Sequence, residues 1–465
     1  MPDSEKKLDK LDIAADFPAV SAKEWEAAIE KDLKGADYEK KLVWRTEEGF
    51  SVQPYYRDEN LAKLKAQLGH RRENRGWEIC EKFQPSENAV RADLLHEAGA
   101  TAVEELGYAV AAGVERLAEF AGKKSEKKSL EAAAGEIEFV FAAGPSYFIE
   151  IAKLRAARLL WAQAVAAFGA KEPATARIIV RTPARNKSVY DRYTNLLRAT
   201  TESLSAVVGG CDTLYVEPFG FDNHIAVNIQ RILKEESNID AVADPAGGSY
   251  YIETLTDSIA RAAWKIFQQV EAEGGFTKAK TSGFIDDALD ASRATRAKAL
   301  SGRRKTLVGV NNYPNLVEKE SEMPPPAESQ RLAESFEKIR RRTIDNAKKA
   351  RRYPKVLLLT RGDVKMRGAR SNFALNFFGC AAFDIETSDQ YAGKDVDLIV
   401  LCSSDPEYLE FALDVCPKAG VPVLVAGNPK DQIEALKAAG VEGFIHILSD
   451  AAETLTELQD KIGLE

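Results

Sequence analysis

The sequence has little of what self-contained catalytic centres are usually built from. Its 465 residues hold four histidines, five cysteines and three methionines. His70, His96, His224 and His446 lie far apart, and none sits in a local motif that would give it a base or metal role. Cys80, Cys211, Cys380, Cys402 and Cys416 are odd in number and lack C-x-x-C spacing. That excludes a zinc cluster and a disulfide scaffold, and it predicts reduced core thiols in a cytoplasmic protein. There is no G-x-G-x-x-G, Walker A loop, H-E-x-x-H or G-x-S-x-G, which removes the common nucleotide, zinc-peptidase and serine-hydrolase readings. Long hydrophobic runs are missing too. The most apolar stretch, LLWAQAVAAFGA from Leu159, is too short for a bilayer and follows Lys153, Arg155 and Arg158. It therefore predicts a buried amphipathic helix and no membrane partner. The first residues, MPDSEKKLDKLDIAAD, do not read as a secretory signal. The net charge of −8 argues against nucleic acid as the main partner.

What is there is ordinary globular material, 45% hydrophobic and 29% charged, long enough for about three domains or one large α/β unit plus a smaller one. The organisation reads as an arm over 1–76, a barrel-type domain over 77–317, a linker over 318–353 and a doubly wound domain over 354–465. In the arm, Ser21 and Glu24 have capping-box spacing, and Trp25, Ala28, Ile29 and Leu33 follow at helical intervals. Beyond Gly35 the arm becomes extended and aromatic. Trp44, Phe50, Tyr55 and Tyr56 need cover from the chain's own core or from another chain.

From Ala98 to Phe276, helices of about 20 residues alternate with the strand-like runs IEFVFAAG, ARIIVRTP and DTLYVEP. Such periodicity suits a TIM-type barrel, with functional residues after the strands at Ser146, Thr182 to Ser188 and Glu217 to Asp222. Only three strand signals precede Asn223, too few for a closed eight-stranded barrel, so the barrel is expected to be partial and to need its edges covered. Pro324, Pro325 and Pro326 predict an extended spacer. Leu332, Phe336, Ile339 and Ile344 then mark a charged linker helix with one narrow buried stripe. Its cations read either as a solvated face or as a phosphate-binding patch. From Lys355 onward, KVLLL, AAFDIE, DLIVLCSS, VPVLVAG and GFIHIL are five strands separated by helical stretches, a flavodoxin-like pattern. TSDQYAGK between the second and third is too short for a crossover helix.

Several segments carry a resemblance. RYTNLLRATTESLSAVVGGCDTLYVEPFG, AKLRAARLLW, EESNI, DPAGGSYYIE and GRRKTLVGVNNYPN resemble, in order and spacing, the acyl-CoA barrel of adenosylcobalamin-dependent methylmalonyl-CoA mutases. FPAVSAKEWEAAIEKDLKGADYEKKLVWRTEEGFSVQPYYR and KMRGARSNFALNFFGCAAFDI are similar to the small, non-catalytic chain of the two-chain bacterial enzymes. The resemblance implies a partial barrel followed by a flavodoxin-like, cobalamin-binding-type domain. It also implies a heterodimer with a large catalytic subunit, an acyl-CoA substrate, and adenosylcobalamin held by that large subunit.

Departures from the family pattern imply that no cofactor binds here. Where catalytic chains carry D-x-H-x-x-G with an imidazole ligand for cobalt, this chain has Asp363, Lys365 and Gly368, a vestigial loop. An ammonium has no lone pair to donate. The general-acid histidine position, three residues before EAGA, is Leu94, and the nearby His96 is expected to point elsewhere from an extended strand end. Arg181, Arg185 and Lys187 in RTPARNKS are possible CoA phosphate contacts or else a solvated basic loop. Glu217 and Asp222 at the mouth oppose an anionic ester. Two other readings stay open: an independently acting mutase with a divergent cobalamin site, and a non-enzymatic CoA-ester binding module.

Overall fold

The computed structural model describes residues 17–464 except 18, 63, 65–75, 123–128, 172–174, 319, 322, 324–329, 392 and 394. The triproline spacer and His70 lie outside the described residues. Two compact units divide the chain, the first ending at Arg57 and the second starting at Asp58.

In the first unit, helix α1 (Ala22–Asp32) starts where the capping box places it. Ser21 Oγ accepts from Glu24 N, and Glu24 returns a carboxylate to Ser21 N at 2.8 Å. These bonds from Ser21 hold the Glu24 carboxyl below its ordinary pKa. The stretch beyond Gly35 is not wholly extended. Asp37 caps a single helical turn, Tyr38–Lys41, before an antiparallel pair forms between β1 (Trp44–Arg45) and β2 (Ser51–Val52). α1 has no buried residue, and Trp25 and Trp44 stay about half exposed.

The second unit is α/β and contains two five-stranded parallel sheets. The first sheet comprises β3 (Glu78–Cys80), β4 (Val90–Arg91), β5 (Glu138–Ala142), β6 (Arg177–Arg181) and β7 (Thr213–Tyr215), in the order β3-β7-β6-β5-β4. β5, β6 and β7 are the three strands expected from sequence. β3 and β4 were not, because two or three residues are too few to display alternation. No strand of this sheet beyond these five occurs among the described residues, and β3 and β4 are its edges.

The principal helices here are α2 (Ala92–Ala98), α3 (Ala102–Gly122), α4 (Tyr147–Ala167), α5 (Arg192–Val208), α6 (Tyr250–Ala272) and α7 (Phe284–Ser301). α4 is not the amphipathic helix expected. Fifteen of its 21 residues are buried, since it packs against α3, α5 and α6, while Phe148 faces solvent. Trp161 of α4 meets Phe139 of β5 edge-on, with ring centroids 4.9 Å apart. Gly113 of α3 admits both rings, because a Cβ there would lie 2.8 to 2.9 Å from them. On another face of the sheet, Phe83 and Ala89 from the β3–β4 connection cover Val140 and Ile179.

The second sheet comprises β8 (Lys355–Thr360), β9 (Asp384–Ser388), β10 (Leu398–Cys402), β11 (Val423–Ala426) and β12 (Gly443–Ile445), in the order β12-β11-β10-β8-β9. All five match the expected strands, and between β9 and β10 no helix occurs among the described residues. Both faces are covered, as parallel sheets require. Val356 and Leu358 pack with Phe336, Phe377 and Leu455, while Leu357 and Leu359 pack with Tyr408 and Phe411. The covering helices include α8 (Glu334–Ala350), α9 (Val364–Gly379), α10 (Tyr408–Ala419) and α11 (Ala451–Lys461). α8, read as a linker helix with a narrow stripe, is therefore a layer of this sheet. It also buries Glu337, Arg340, Thr343 and Ala347.

Candidate functional site

In parallel α/β sheets the carboxyl ends of the strands are where loops converge and chemistry is placed. At the end of β5, four ionisable side chains meet out of water. Lys153 Nζ lies 2.6 Å from Glu105 Oε2, 2.6 Å from Glu150 Oε2 and 2.6 Å from the Ala142 carbonyl. Glu105 Oε1 accepts from Ala142 N at 2.8 Å. Burial alone would lower the pKa of the Lys153 ammonium, but Glu105 and Glu150 outweigh it and the net shift is upward. Burial raises Glu105, and the Lys153 ammonium and the Ala142 N–H offset only part of that rise. His96 Nδ1 is 3.4 Å from Glu105. Burial, aided by the Lys153 charge, pushes the His96 imidazole down to about 3, so at neutral pH it is uncharged.

The segment holding Leu94 and His96 is helix α2, not an extended strand end as expected. At about 100° per residue, positions two apart on a helix face opposite sides. Leu94 is thus 53% exposed and His96 is buried.

Arg181 at the end of β6 lies between Glu97 (2.8 Å) and Asp93 (3.3 Å), and Asp93 is also held by Arg91 at the end of β4. Both guanidinium groups stand over the Phe83 ring, which stacks on Tyr215 of β7. The mouth of the first sheet is thereby filled with charges that answer one another.

The loop after β6 is not a solvated basic loop. Lys187 is fully buried and paired with Glu202, which also accepts from Asn186. Burial lowers Lys187 and raises Glu202. Arg185 is buried and donates to the carbonyls of Glu97 (3.1 Å) and Gln330 (2.8 Å). Neither Arg185 nor Lys187 presents its charge on an open loop, whereas Arg181 stays partly exposed. Glu217 is half-buried, and its carboxyl is raised by that burial, whereas Asp222 is exposed. Four of the cations around α8 are engaged as well: Lys338 with Glu334, Arg342 with Asp460, Lys348 with Glu320 and Arg352 with Asp397.

In the second sheet, Asp363 is the N-cap of α9 and accepts from Met366 N at 2.8 Å. Lys365, on the first turn, is exposed, and a Cβ added at Gly368 would touch nothing within 4 Å. Asp405 pairs with Arg370 at 3.0 Å, and Tyr408 is wholly buried beside them. Among the described residues no group of three His, Cys, Asp or Glu is arranged to hold a metal ion, and no helix is long and apolar enough to cross a membrane. Cys211, Cys380 and Cys402 are buried and not disulfide-bonded, and burial pushes the Cys380 and Cys402 thiols up to about 12.

The Lys153 cluster and the Glu407–Tyr408 pair described below escaped the reading of the sequence. A signal for the first was present: Glu150 and Lys153 stand three apart on a helix, the spacing of a side-chain pair on one face, amid mostly apolar neighbours.

Comparison with known proteins shows the family. A family described as methylmalonyl-CoA mutase matches residues 74–357. The methylmalonyl-CoA mutase small subunit of Porphyromonas gingivalis is 31% identical over 624 aligned positions, covering 98% of this chain and 99% of that protein. The alignment is longer than this chain's 465 residues, so it contains long internal gaps here. The small subunits of Streptomyces virginiae (34% identical) and Propionibacterium freudenreichii subsp. shermanii (33%) match 83% and 82% of this chain, which spans 66% and 64% of their lengths. A methylmalonyl-CoA mutase of Cereibacter sphaeroides is 37% identical over 51% of this chain and 35% of its own. The chain belongs to the methylmalonyl-CoA mutase family, and over most of its length it is similar to that family's small subunits.

Proposed function

We propose that this chain is the accessory, non-catalytic subunit of a cytoplasmic methylmalonyl-CoA mutase. The complex interconverts succinyl-CoA and (R)-methylmalonyl-CoA through an adenosylcobalamin radical rearrangement, and the large partner subunit binds the cofactor and carries the chemistry. The first sheet is read as a partial TIM-type barrel and the second as a flavodoxin-like, degenerate cobalamin-binding-type domain.

The observation that carries this reading is the loop after β8. Its Lys365 is a solvent-exposed ammonium where an imidazole is needed, and its Asp363 is committed to capping α9. A protonated amine offers cobalt no lone pair, so these residues do not fit the cofactor. The general-acid position supports the same reading, since Leu94 there has no proton to give. Of the possible CoA phosphate contacts, Arg181 is the accessible one; Arg185 and Lys187 hold the loop together instead. The aromatic arm, with Trp25 and Trp44 half exposed, suits a clasp on the large subunit.

Expression of the chain alone and with a large catalytic chain bearing D-x-H-x-x-G tests the proposal. Co-purification of the pair, cobalamin absorbance proportional to the large chain, and mutase activity in the pair alone are expected. A base-off cobalamin spectrum or mutase turnover from the isolated chain overturns it.

A further inference from the structure

In a sheet of this strand order, ligands enter the crevice beyond the carboxyl ends of the first and third strands, here β8 and β10, where the connections leave in opposite directions. In this chain that crevice is crossed by two consecutive side chains of its own. Glu407 Oε2 accepts from Asp363 N at 3.4 Å in the loop after β8. It also accepts from Ser404 N at 3.2 Å and Ser404 Oγ at 2.6 Å in the loop after β10. Ser403 Oγ lies 2.7 Å from the same oxygen and 2.8 Å from the Arg361 carbonyl, so its one proton serves either. The carboxylate comes so close to the β8 loop that a Cβ on Gly362, at φ +79°, would fall 2.1 Å from it. The next residue closes the adjoining gap. Tyr408, fully buried, donates to the Ala426 carbonyl at the end of β11 (2.7 Å) and accepts from Ser403 N (3.1 Å).

An ordinary helix cap would involve Ser404 and Glu407 alone. Here the same carboxylate reaches across to a different strand's loop, and its neighbour ties a third. We propose that Glu407 and Tyr408 form a built-in stopper, a self-occluding contact that holds the three strand-end loops together and keeps this crevice shut without any ligand. The Glu407 carboxylate takes the role that an anionic group of a ligand would otherwise have. The stopper rests on the hydrogen bonds and topology of the second sheet, and it stands or falls separately from the assignment of a catalytic partner.

The test is hydrogen exchange, read by mass spectrometry on the full chain, in segments 361–368 and 403–411. Losing a charged acceptor should raise local opening about ten-fold in both segments of Glu407→Ala, with β12 unchanged. Sodium acetate should slow exchange in Glu407→Ala, and sodium chloride at equal ionic strength should not. Glu407→Gln preserves the shape and serves if the alanine variant is unstable, with a smaller acceleration expected in both segments. Gly362→Ala should accelerate exchange more in the wild-type background than in Glu407→Ala, where only the backbone strain remains. Acceleration confined to 403–411 would reduce the contact to a helix cap and overturn the stopper. So would acetate acting no better than chloride, or additive effects of the Gly362 and Glu407 substitutions.

Discussion

The two five-stranded sheets of the second unit share strand count and parallel direction but bury different things. In the second, β8, β10 and β11 are the near-continuous apolar strands of a sheet covered on both faces, while the edge strand β9 exposes Asp384 and Glu386. Val356, Leu357, Leu358 and Leu359 alternate between two hydrophobic clusters with no charge between them. The first places Lys153, Glu105 and Glu150 at the end of β5, and Lys187 and Glu202 behind β6, all essentially out of water. A buried charge is tolerated when paired and is strongly destabilising once its partner goes. The ends of the first sheet are therefore stable because their buried charges are paired internally. The second sheet reaches a similar closure through hydrogen bonds at its strand ends, over strands whose buried side chains carry no charge.

Removing one partner from each sheet breaks the comparison open. Lys153→Met should strand two carboxylates in the interior and destabilise the chain by about 3–5 kcal/mol, read as a fall in the urea midpoint. Adding Glu105→Gln to that variant should recover part of the loss, because one of the stranded charges is gone. In the second sheet, Leu358→Ala removes apolar volume at a fully buried position and should cost about 3 kcal/mol, with no dependence on pH. If Lys153→Met proves milder than Leu358→Ala, the first sheet's charges are better hydrated than their burial implies.

How much of this was legible depended on what each sheet is made of. All five strands of the second sheet could be read, four from their own apolar runs and β9 from the apolar Ala381–Phe383 that leads into it. The first sheet gave up β5, β6 and β7 but not β3 or β4, whose two or three residues derive their conformation from a parallel neighbour instead of from any pattern of their own. The site was less legible than the fold. The polar positions after the strands were expected to be functional, yet nothing local distinguishes Lys187, buried against Glu202, from a lysine in solvent. The partner lies 15 residues on, and only the return of α5 against the sheet brings it near. His96 was displaced from its expected setting for a related reason: Ala92–Ala98 is helical, and helical rotation turns the imidazole inward.

Between these sheets, pH should act mainly on the first. His96 titrates near 3 when folded and near 6.5 when unfolded, so below pH 6.5 the unfolded chain takes up a proton that the folded chain refuses. Its contribution is fully present above pH 6.5 and lost as pH falls towards 3, at about 1.4 kcal/mol per unit. From pH 7 to pH 5 the loss should be about 2 kcal/mol. Glu105, whose pKa is raised, acts with the opposite sign, so the informative quantity is the difference between wild type and His96→Gln in urea unfolding at the two pH values. The variant should show the flatter response; equal slopes would mean that His96 is already protonated or hydrated in the folded chain.

The smallest effect belongs to an ion pair of the second sheet that looks, on distances alone, as good as any in the first. Arg352 grips Asp397 through two bonds of 2.7 and 2.8 Å, and Lys355 N donates to the same carboxylate at 2.8 Å. These bonds keep Asp397 below its ordinary pKa despite partial burial. Yet the Arg352 side chain is 46% exposed, so water replaces most of what its removal takes away. Arg352→Ala should cost less than about 1 kcal/mol and become neutral in high salt, against about 3–5 kcal/mol for Lys153→Met at comparable N···O distances. The ratio of the two measures burial and not contact geometry, and a loss at Arg352 approaching that at Lys153 would show that the separation drawn between the two sheets is wrong.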